Sequence, residues 1–301
     1  MGMKAVVYER YGPPDVLHLK DIEKPTPRAN EVLIKVYSTT VTAGDWRMRK
    51  ADPFLVRIFG GLFKPTRVKI LGFELAGVVE EVGHKVRSFK KGDSVFASCS
   101  FKFGGYAEYR CLPENNIIAL KPSNMTFDEA AAVPIGGLTA IRLLRSAKPK
   151  RGDSALIYGA SGSVGTFAVQ LAIYFGTNVT AVCSTSNLDL VRSLGAEKVV
   201  DYTKEDFTKL DHQFDIIFDA VGKTSKSKCA QLLKPGGKFI TVASSPKENP
   251  DDLVKLKEII EAGHLKSVID RKYKLDQIRE AHVYVEQFHK KGNVVVTVFE
   301  G

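Results

Sequence analysis

The sequence predicts an α/β protein made of a barrel-like β domain and a doubly wound parallel sheet. Three observations carry that expectation. Roughly the first 120 residues alternate short strands with turns. From Ser154 onward, near-continuous apolar strands alternate with helical stretches, the pattern of a parallel sheet covered on both faces. At 301 residues the chain is also too long for one ordinary core.

Residues 4–8 (KAVVY) and 31–37 (EVLIKVY) alternate apolar and polar positions like strands with one buried face. "ELAGVVEEVG" at 74–83, "GDSVFAS" at 92–98 and "GGYAEYRCL" at 104–112 continue the pattern. "KPSNMTFDEAAAVPIGGLTAIRLLRSA" then changes period. Ser123 or Thr126 is expected to cap a helix, and Pro134 to break it before a second helix at 137–147.

Beyond Ser154, "ALIY" (155–158) precedes helical "SVGTFAVQLAIYFG", and "NVTAVC" (178–183) precedes "SNLDLVRSLG". "KVVDY" precedes an acidic capped turn. "FDIIFDAV" (214–221) precedes "SKSKCAQLLKPGG", read as helical, and "KFITVAS" (238–244) precedes "PDDLVKLKEIIEAG". The final stretch reads as strand, amphipathic helix and strand, returning to the first domain.

Hydrophobic content of 44% and charged content of 26% are ordinary for a globular protein. No apolar run approaches the roughly 20 residues that span a bilayer. "MGMKAVVYERYG" reads as strand and turn rather than a secretory leader, so a cytoplasmic protein is expected. Cys99, Cys111, Cys183 and Cys229 lack the spacing of a structural zinc site or a disulfide framework.

The net charge of +10 is dispersed except in "WRMRKADPFLVRIFGGLFKPTRVK" (46–69). There Arg47, Arg49, Lys50, Arg57, Lys64, Arg67 and Lys69 face only Asp52, with Phe54, Phe59 and Phe63 interleaved. Three readings stay open. The segment is a solvated loop with its aromatics packed underneath, a mouth for an anionic, apolar or membrane-associated ligand, or an RNA contact. DNA binding is not expected.

In "LIYGASGSVGTFAVQLA" (156–172), Gly159, Gly162 and Gly165 recur every third residue between strand and helix. A helix start offers unpaired backbone amides and a favourable dipole to a pyrophosphate, which approaches only where side chains are missing. The pattern is A-x-G-x-x-G, with Ala160 in the first glycine position. An NAD-selective site would add an acid at the end of the second strand. Here Cys183 to Asn187 hold none, which removes repulsion against a 2′-phosphate. Ser184, Asn187 and Tyr202 are its candidate donors, and NADP(H) is favoured over NAD(H).

These motifs have a family likeness. Over nearly its whole length the chain resembles the zinc-lacking branch of the medium-chain dehydrogenase/reductase family, the quinone oxidoreductases. The carriers are "KAVVYERYGPPDVL", "LGFELAGVVEEVG", "GDSVFA", "AAAVPIGGLTA", "YGASGSVGTFAVQLA", "SLGAEKVVDY", "LLKPGGKFI" and "VIDRKYKLDQIREAH". The resemblance implies a GroES-like β-barrel catalytic domain from residues 1–122 and 266–301, and a Rossmann domain at 123–265. It implies hydride transfer from NADPH to a small conjugated acceptor, a quinone or an α,β-unsaturated carbonyl compound.

Zinc-dependent relatives hold their metal through Cys in a C-x-x-D segment, His in G-H-E, and a later Cys or Asp. Here "TAGD" places Thr42 first, Gly72-Phe73-Glu74 replaces G-H-E, and Pro134-Ile135 stands near the third ligand, so no zinc is implied. The resemblance puts Thr139 at the nicotinamide end, and Gly162, Ser163 and Val164 along the pyrophosphate. Ser184, Asn187 and Tyr202 fall on the adenosine side. Val221 and Ala243 follow the fourth and fifth strands, and Asn293 stands where many relatives carry Lys. Asp45 and Trp46 would flank the substrate cleft, Asp45 having a backbone turn as its other reading.

No catalytic side chain is singled out, since water can deliver the proton. Relatives carry a longer stretch near Ser245 that often joins two subunits, so whether this chain forms a homodimer stays open. Two other functions stay open, an NADP-linked alcohol dehydrogenase and an NADPH- or RNA-binding protein without turnover.

Overall fold

The computed structural model describes residues 2–244 and 249–300. The chain divides into two compact units, Met1–Pro134 with Ile269–Gly301, and Ile135–Val268.

The first unit begins with an antiparallel pair, β1 (Gly2–Val7) and β2 (His18–Glu23). Strand β3 (Glu31–Thr40) is followed by two short helices, α1 (Ala43–Lys50) and α2 (Val56–Gly60). Then come β4 (Glu74–Val82), β5 (Ser94–Ser98), β6 (Tyr109–Pro113), β7 (Ile118–Leu120) and α3 (Phe127–Ala131). Val32, Ile34 and Val36 of β3 point into one core with Leu75, Val79 and Val95, as the period-two pattern requires.

Thr126 caps α3: its hydroxyl accepts from the Glu129 amide at 3.2 Å while the Glu129 carboxylate accepts from the Thr126 amide at 2.8 Å. This helix belongs to the first unit. The Phe127 ring stacks on Tyr37 at 4.5 Å, and Lys272 pairs with Asp128 at 2.6 Å. The division of the chain therefore falls at Pro134, twelve residues later than the sequence boundary at 122. Helix α4 (Pro134–Ala147) starts on Pro134 itself, because the first turn of a helix needs no amide hydrogen there.

The second unit runs β8 (Ser154–Tyr158), α5 (Ser163–Tyr174), β9 (Asn178–Cys183), α6 (Leu188–Ser193), β10 (Lys198–Asp201), β11 (Phe214–Asp219), β12 (Leu233–Thr241) and α7 (Pro250–Glu261). The five strands are parallel in the order β10-β9-β8-β11-β12, so the order reverses beside β8. Leu156, Val182, Val200 and Ile217 build the core on one face, while Ala155 and Ile216 meet Ala147 on the other.

"SKSKCAQLLKPGG" does not form the expected helix. Only Ala230–Leu232 make a single 3₁₀ turn, and β12 starts directly after it. The Ser225 hydroxyl is close to that of Ser227 at 2.9 Å and accepts from the Lys228 amide at 3.3 Å, an alternative to helical bonding. Ser245, where the shortened connection lies, falls outside the described residues.

The chain end, β13 (Ile269–Lys274), α8 (Ile278–Glu286) and β14 (Asn293–Thr297), rejoins the first unit. Its strands complete a sheet in the order β13-β14-β3-β4-β5-β7, with β6 also paired to β3. Among the described residues, no helix is long and apolar enough to cross a membrane.

Candidate cofactor and substrate site

The three glycines between β8 and α5 do different work. Gly159 has φ +78°, and a side chain there would begin 2.6 Å from Val221 Cγ1. A side chain on Gly165 would begin 2.1 Å from the Gly159 carbonyl oxygen, inside van der Waals contact. Both are demanded by the protein's own packing. Gly162 is not: its φ is −81°, and a Cβ would meet nothing nearer than 3.6 Å.

Gly162 is also the N-cap of α5 and puts no side chain on that helix's first-turn amides. The protein leaves an uncovered helix start where it has room for a side chain. That fits a nucleotide diphosphate held by backbone amides at 163–165.

The carboxyl edge of the parallel sheet carries most of the sequence-predicted contacts. Ser163 and Val164 open α5, and Gly136 of α4 packs against Ser163 and Phe167, with Thr139 one turn further along α4. Ser184 follows β9, Tyr202 follows β10, Val221 follows β11, and Ala243 follows β12. Tyr202 and Val221 are about half exposed. Ligands of open parallel sheets bind at this edge, beside the point where strand order reverses.

Asn187 works differently from its expected role. It is buried, and its amide nitrogen donates to the hydroxyls of Ser161 at 3.1 Å and Ser184 at 3.0 Å. It positions Ser184 rather than offering its own hydrogens to a ligand. Asp201, the carboxylate nearest the end of β9, accepts from the Thr185 hydroxyl at 2.5 Å and the Thr203 hydroxyl at 2.6 Å. Those bonds hold its carboxyl below the usual range.

Asp219 was not anticipated. It is fully buried at the end of β11 and accepts from the amides of Val221 at 3.1 Å, Gly222 at 2.8 Å and Thr224 at 3.1 Å. This fixes the turn that presents Val221. An Asp two residues before Val-Gly at a strand end is the signal that marks such a turn.

In the first unit, Asp45 and Trp46 do not border an open cleft. Asp45 is the third residue of α1 and completes a capping box with Thr42, whose amide donates to it at 2.8 Å. Its other oxygen accepts from the Gly72 amide at 2.8 Å. Burial pushes its carboxyl up to about 6, against the opposing hydrogen bonds from Thr42, Gly72 and Tyr106. The backbone-turn reading of Asp45 holds. Trp46 is buried among Leu71, Ile278 and Val285, edge-on to Phe288 at 5.5 Å. Apolar packing, which spacing alone does not reveal, takes it inside.

The residues at the metal-ligand positions are likewise engaged. The Thr42 hydroxyl bonds Asp45 at 2.6 Å, Phe73 packs on Phe103 at 4.1 Å, and Glu74 accepts from the Thr40 hydroxyl. A hydroxyl, an aromatic ring and Ile135 do not make a zinc donor set. No cluster of three or more His, Cys, Asp or Glu suited to a metal occurs among the described residues.

Asn293 is buried at the start of β14, paired with Ile269. Nearby, Lys290 donates to the Gly292 carbonyl at 2.6 Å. Burial pulls its ammonium down to about 8 despite Glu74 and Asp270, a cation that sequence reasoning did not single out.

Comparison with known proteins agrees with this architecture. Residues 163–269 match the zinc-binding dehydrogenase family, and residues 28–122 match the alcohol dehydrogenase GroES-like domain. The chain is 37% identical to the chloroplastic NADPH-dependent alkenal/one oxidoreductase of Arabidopsis thaliana, over 98% of this chain and 79% of that protein. It is 33% identical to the quinone oxidoreductase of Homo sapiens, over 93% of each. The solved quinone oxidoreductase of Coxiella burnetii superposes with a TM-score of 0.90 at 29% identity, covering 99% of this chain and 100% of that one. The chain belongs to the medium-chain dehydrogenase/reductase family, with the quinone oxidoreductases, and is an NAD(P)H-dependent oxidoreductase.

Proposed function

We propose that the protein reduces conjugated carbonyl compounds, quinones or α,β-unsaturated aldehydes and ketones, with NADPH and without a catalytic metal. One observation carries the proposal: Phe73 occupies the position of a ligand histidine and packs into an aromatic cluster with Phe101 and Phe103. Without a Lewis acid, a plain ketone lacks strong polarisation of its oxygen. A conjugated acceptor instead spreads the incoming negative charge over its own framework.

When bound, NADPH would supply the hydride, and a proton from water would complete the two-electron reduction of the acceptor. The chain's part is binding and orientation. Gly162 leaves the first-turn amides of α5 open to the diphosphate. Asn187 holds the Ser184 hydroxyl at the end of β9, where it could donate to a 2′-phosphate, while the Asp201 carboxylate beside Cys183 is engaged by the hydroxyls of Thr185 and Thr203. The relatives named for NADPH and for 2-methylene-furan-3-one reduction, the latter 35% identical over 98% of this chain, support the same reading.

The test follows NADPH and NADH absorbance against quinones, enals and simple aldehydes, with and without a chelator. NADPH should be consumed with conjugated acceptors only, and chelation should change nothing. Turnover confined to simple aldehydes and abolished by chelation would overturn the proposal in favour of a metal-dependent alcohol dehydrogenase.

A further inference from the structure

The basic, aromatic stretch at 46–69 does not tuck its apolar side chains underneath. Phe63 is 88% exposed, Phe59 67%, Phe54 and Leu55 64%, and Ile58 61%. From a separate loop Phe101, 79% exposed, stacks on Phe59 at 6.4 Å with the rings 17° apart. Lone exposed apolar residues are ordinary, but a cluster of this kind on one surface marks an interaction site.

The local backbone is well tied. The Thr66 amide donates to Gly60 at 2.8 Å, and the Tyr11 hydroxyl donates to Gly61 at 2.8 Å. Arg57 lies over the Tyr11 ring at 5.1 Å. The outward side chains are thus presented on a folded frame.

The same stretch carries the exposed cations Arg47, Lys50, Lys64, Arg67 and Lys69, Arg67 donating to the Ile58 carbonyl, and exposed Lys102 follows Phe101. Asp52 is the only acid between 46 and 69. Arg49 does not join this rim, since it is completely buried.

We propose that this surface docks on an anionic phospholipid bilayer. Projecting aromatic and aliphatic tips fit the boundary between headgroups and acyl chains, and the cationic rim fits the negative headgroups within a Debye length. Charge argues against a second copy of the chain, because a two-fold contact sets the patch against itself and its cations against one another. The exposed aliphatic side chains of Leu55, Ile58 and Leu62, which offer no face on which a base stacks, favour lipid over RNA.

The test sediments the full chain with vesicles of phosphatidylcholine, alone or mixed with phosphatidylserine, at low and physiological salt. The double variant Phe59→Ser/Phe63→Ser and the charge variant Lys64→Glu/Arg67→Glu are compared, with thermal melting confirming that they fold. Binding is expected only to the anionic vesicles and to weaken with salt, each variant losing at least tenfold. No binding to anionic vesicles, or binding by both variants as strong as that of the unmodified chain, overturns the proposal. So does a patch-dependent dimer in light scattering, or patch-dependent retention of single-stranded RNA without vesicle binding.

Discussion

The carbonyl oxygen of Gly159 stands 2.1 Å from the point where a side chain on Gly165 would begin. The corresponding distance for Gly162 is 3.6 Å, so the two glycines are separable by experiment. Gly165→Ala forces the strand and helix apart and should cost about 1–3 kcal/mol in denaturant unfolding. Gly162→Ala makes only an ordinary van der Waals contact with the Gly159 carbonyl and should cost less than about 1 kcal/mol, mostly as a poorer N-cap. Yet it should weaken NADPH binding by more than about tenfold, about 1.4 kcal/mol, in calorimetry. Unchanged cofactor affinity in Gly162→Ala would remove the diphosphate from this helix start.

Cofactor preference is expected to reside at the end of β9. Ser184→Glu would set a carboxylate against a 2′-phosphate and supply an acceptor to a ribose hydroxyl. The ratio of kcat/KM for NADPH over NADH should fall by at least about tenfold, the equivalent of 1.4 kcal/mol. An unaltered ratio would move phosphate recognition elsewhere.

Arg49 and Glu286 form an ion pair in which Arg49 is completely buried, and its Nε and Nη1 find no hydrogen-bond partner among the described residues. Glu286→Ala strands that charge and should destabilise by about 3–5 kcal/mol. Arg49→Met combined with Glu286→Gln removes the charges together and should recover most of the loss. Equal melting of the single and double variants would deny the pair its structural role.

Asp45 and His282 pull acid stability in opposite directions. Asp45 rises from 3.8 to about 6 on burial. Its contribution is complete below the unfolded value and is lost as pH rises through 6, a difference of about 3 kcal/mol. Burial, then the Arg49 charge, hold the His282 imidazole well below 6.5, so its contribution is present above 6.5 and lost as pH falls. In urea titrations from about pH 4 to about pH 7, the advantage of the native protein over Asp45→Asn should shrink by about 3 kcal/mol. His282→Gln should flatten the loss of stability below 6.5. A pH-independent gap for Asp45→Asn would mean its carboxyl is not held protonated.

Much of this protein was legible in local pattern. Period-two strands such as β3, the Thr126 cap, the helix α5 and the return of the chain end all follow from short-range rules of propensity and alternation. The glycine spacing announced a dinucleotide fold, and the residues Thr42, Phe73 and Ile135 already lacked metal-ligating chemistry. These are properties of one residue and its near neighbours, so sequence by itself determined them.

Burial and partnership were decided only by tertiary structure. Trp46 and Arg49 lie in one basic stretch, yet both are buried in the first unit, while Phe59 and Phe63 face solvent. Asn187 spends its hydrogens on two serines, one of them Ser161 in the turn after β8. Each outcome depends on residues distant in the chain closing around a side chain. That long-range desolvation and hydrogen bonding is absent from any short window of sequence.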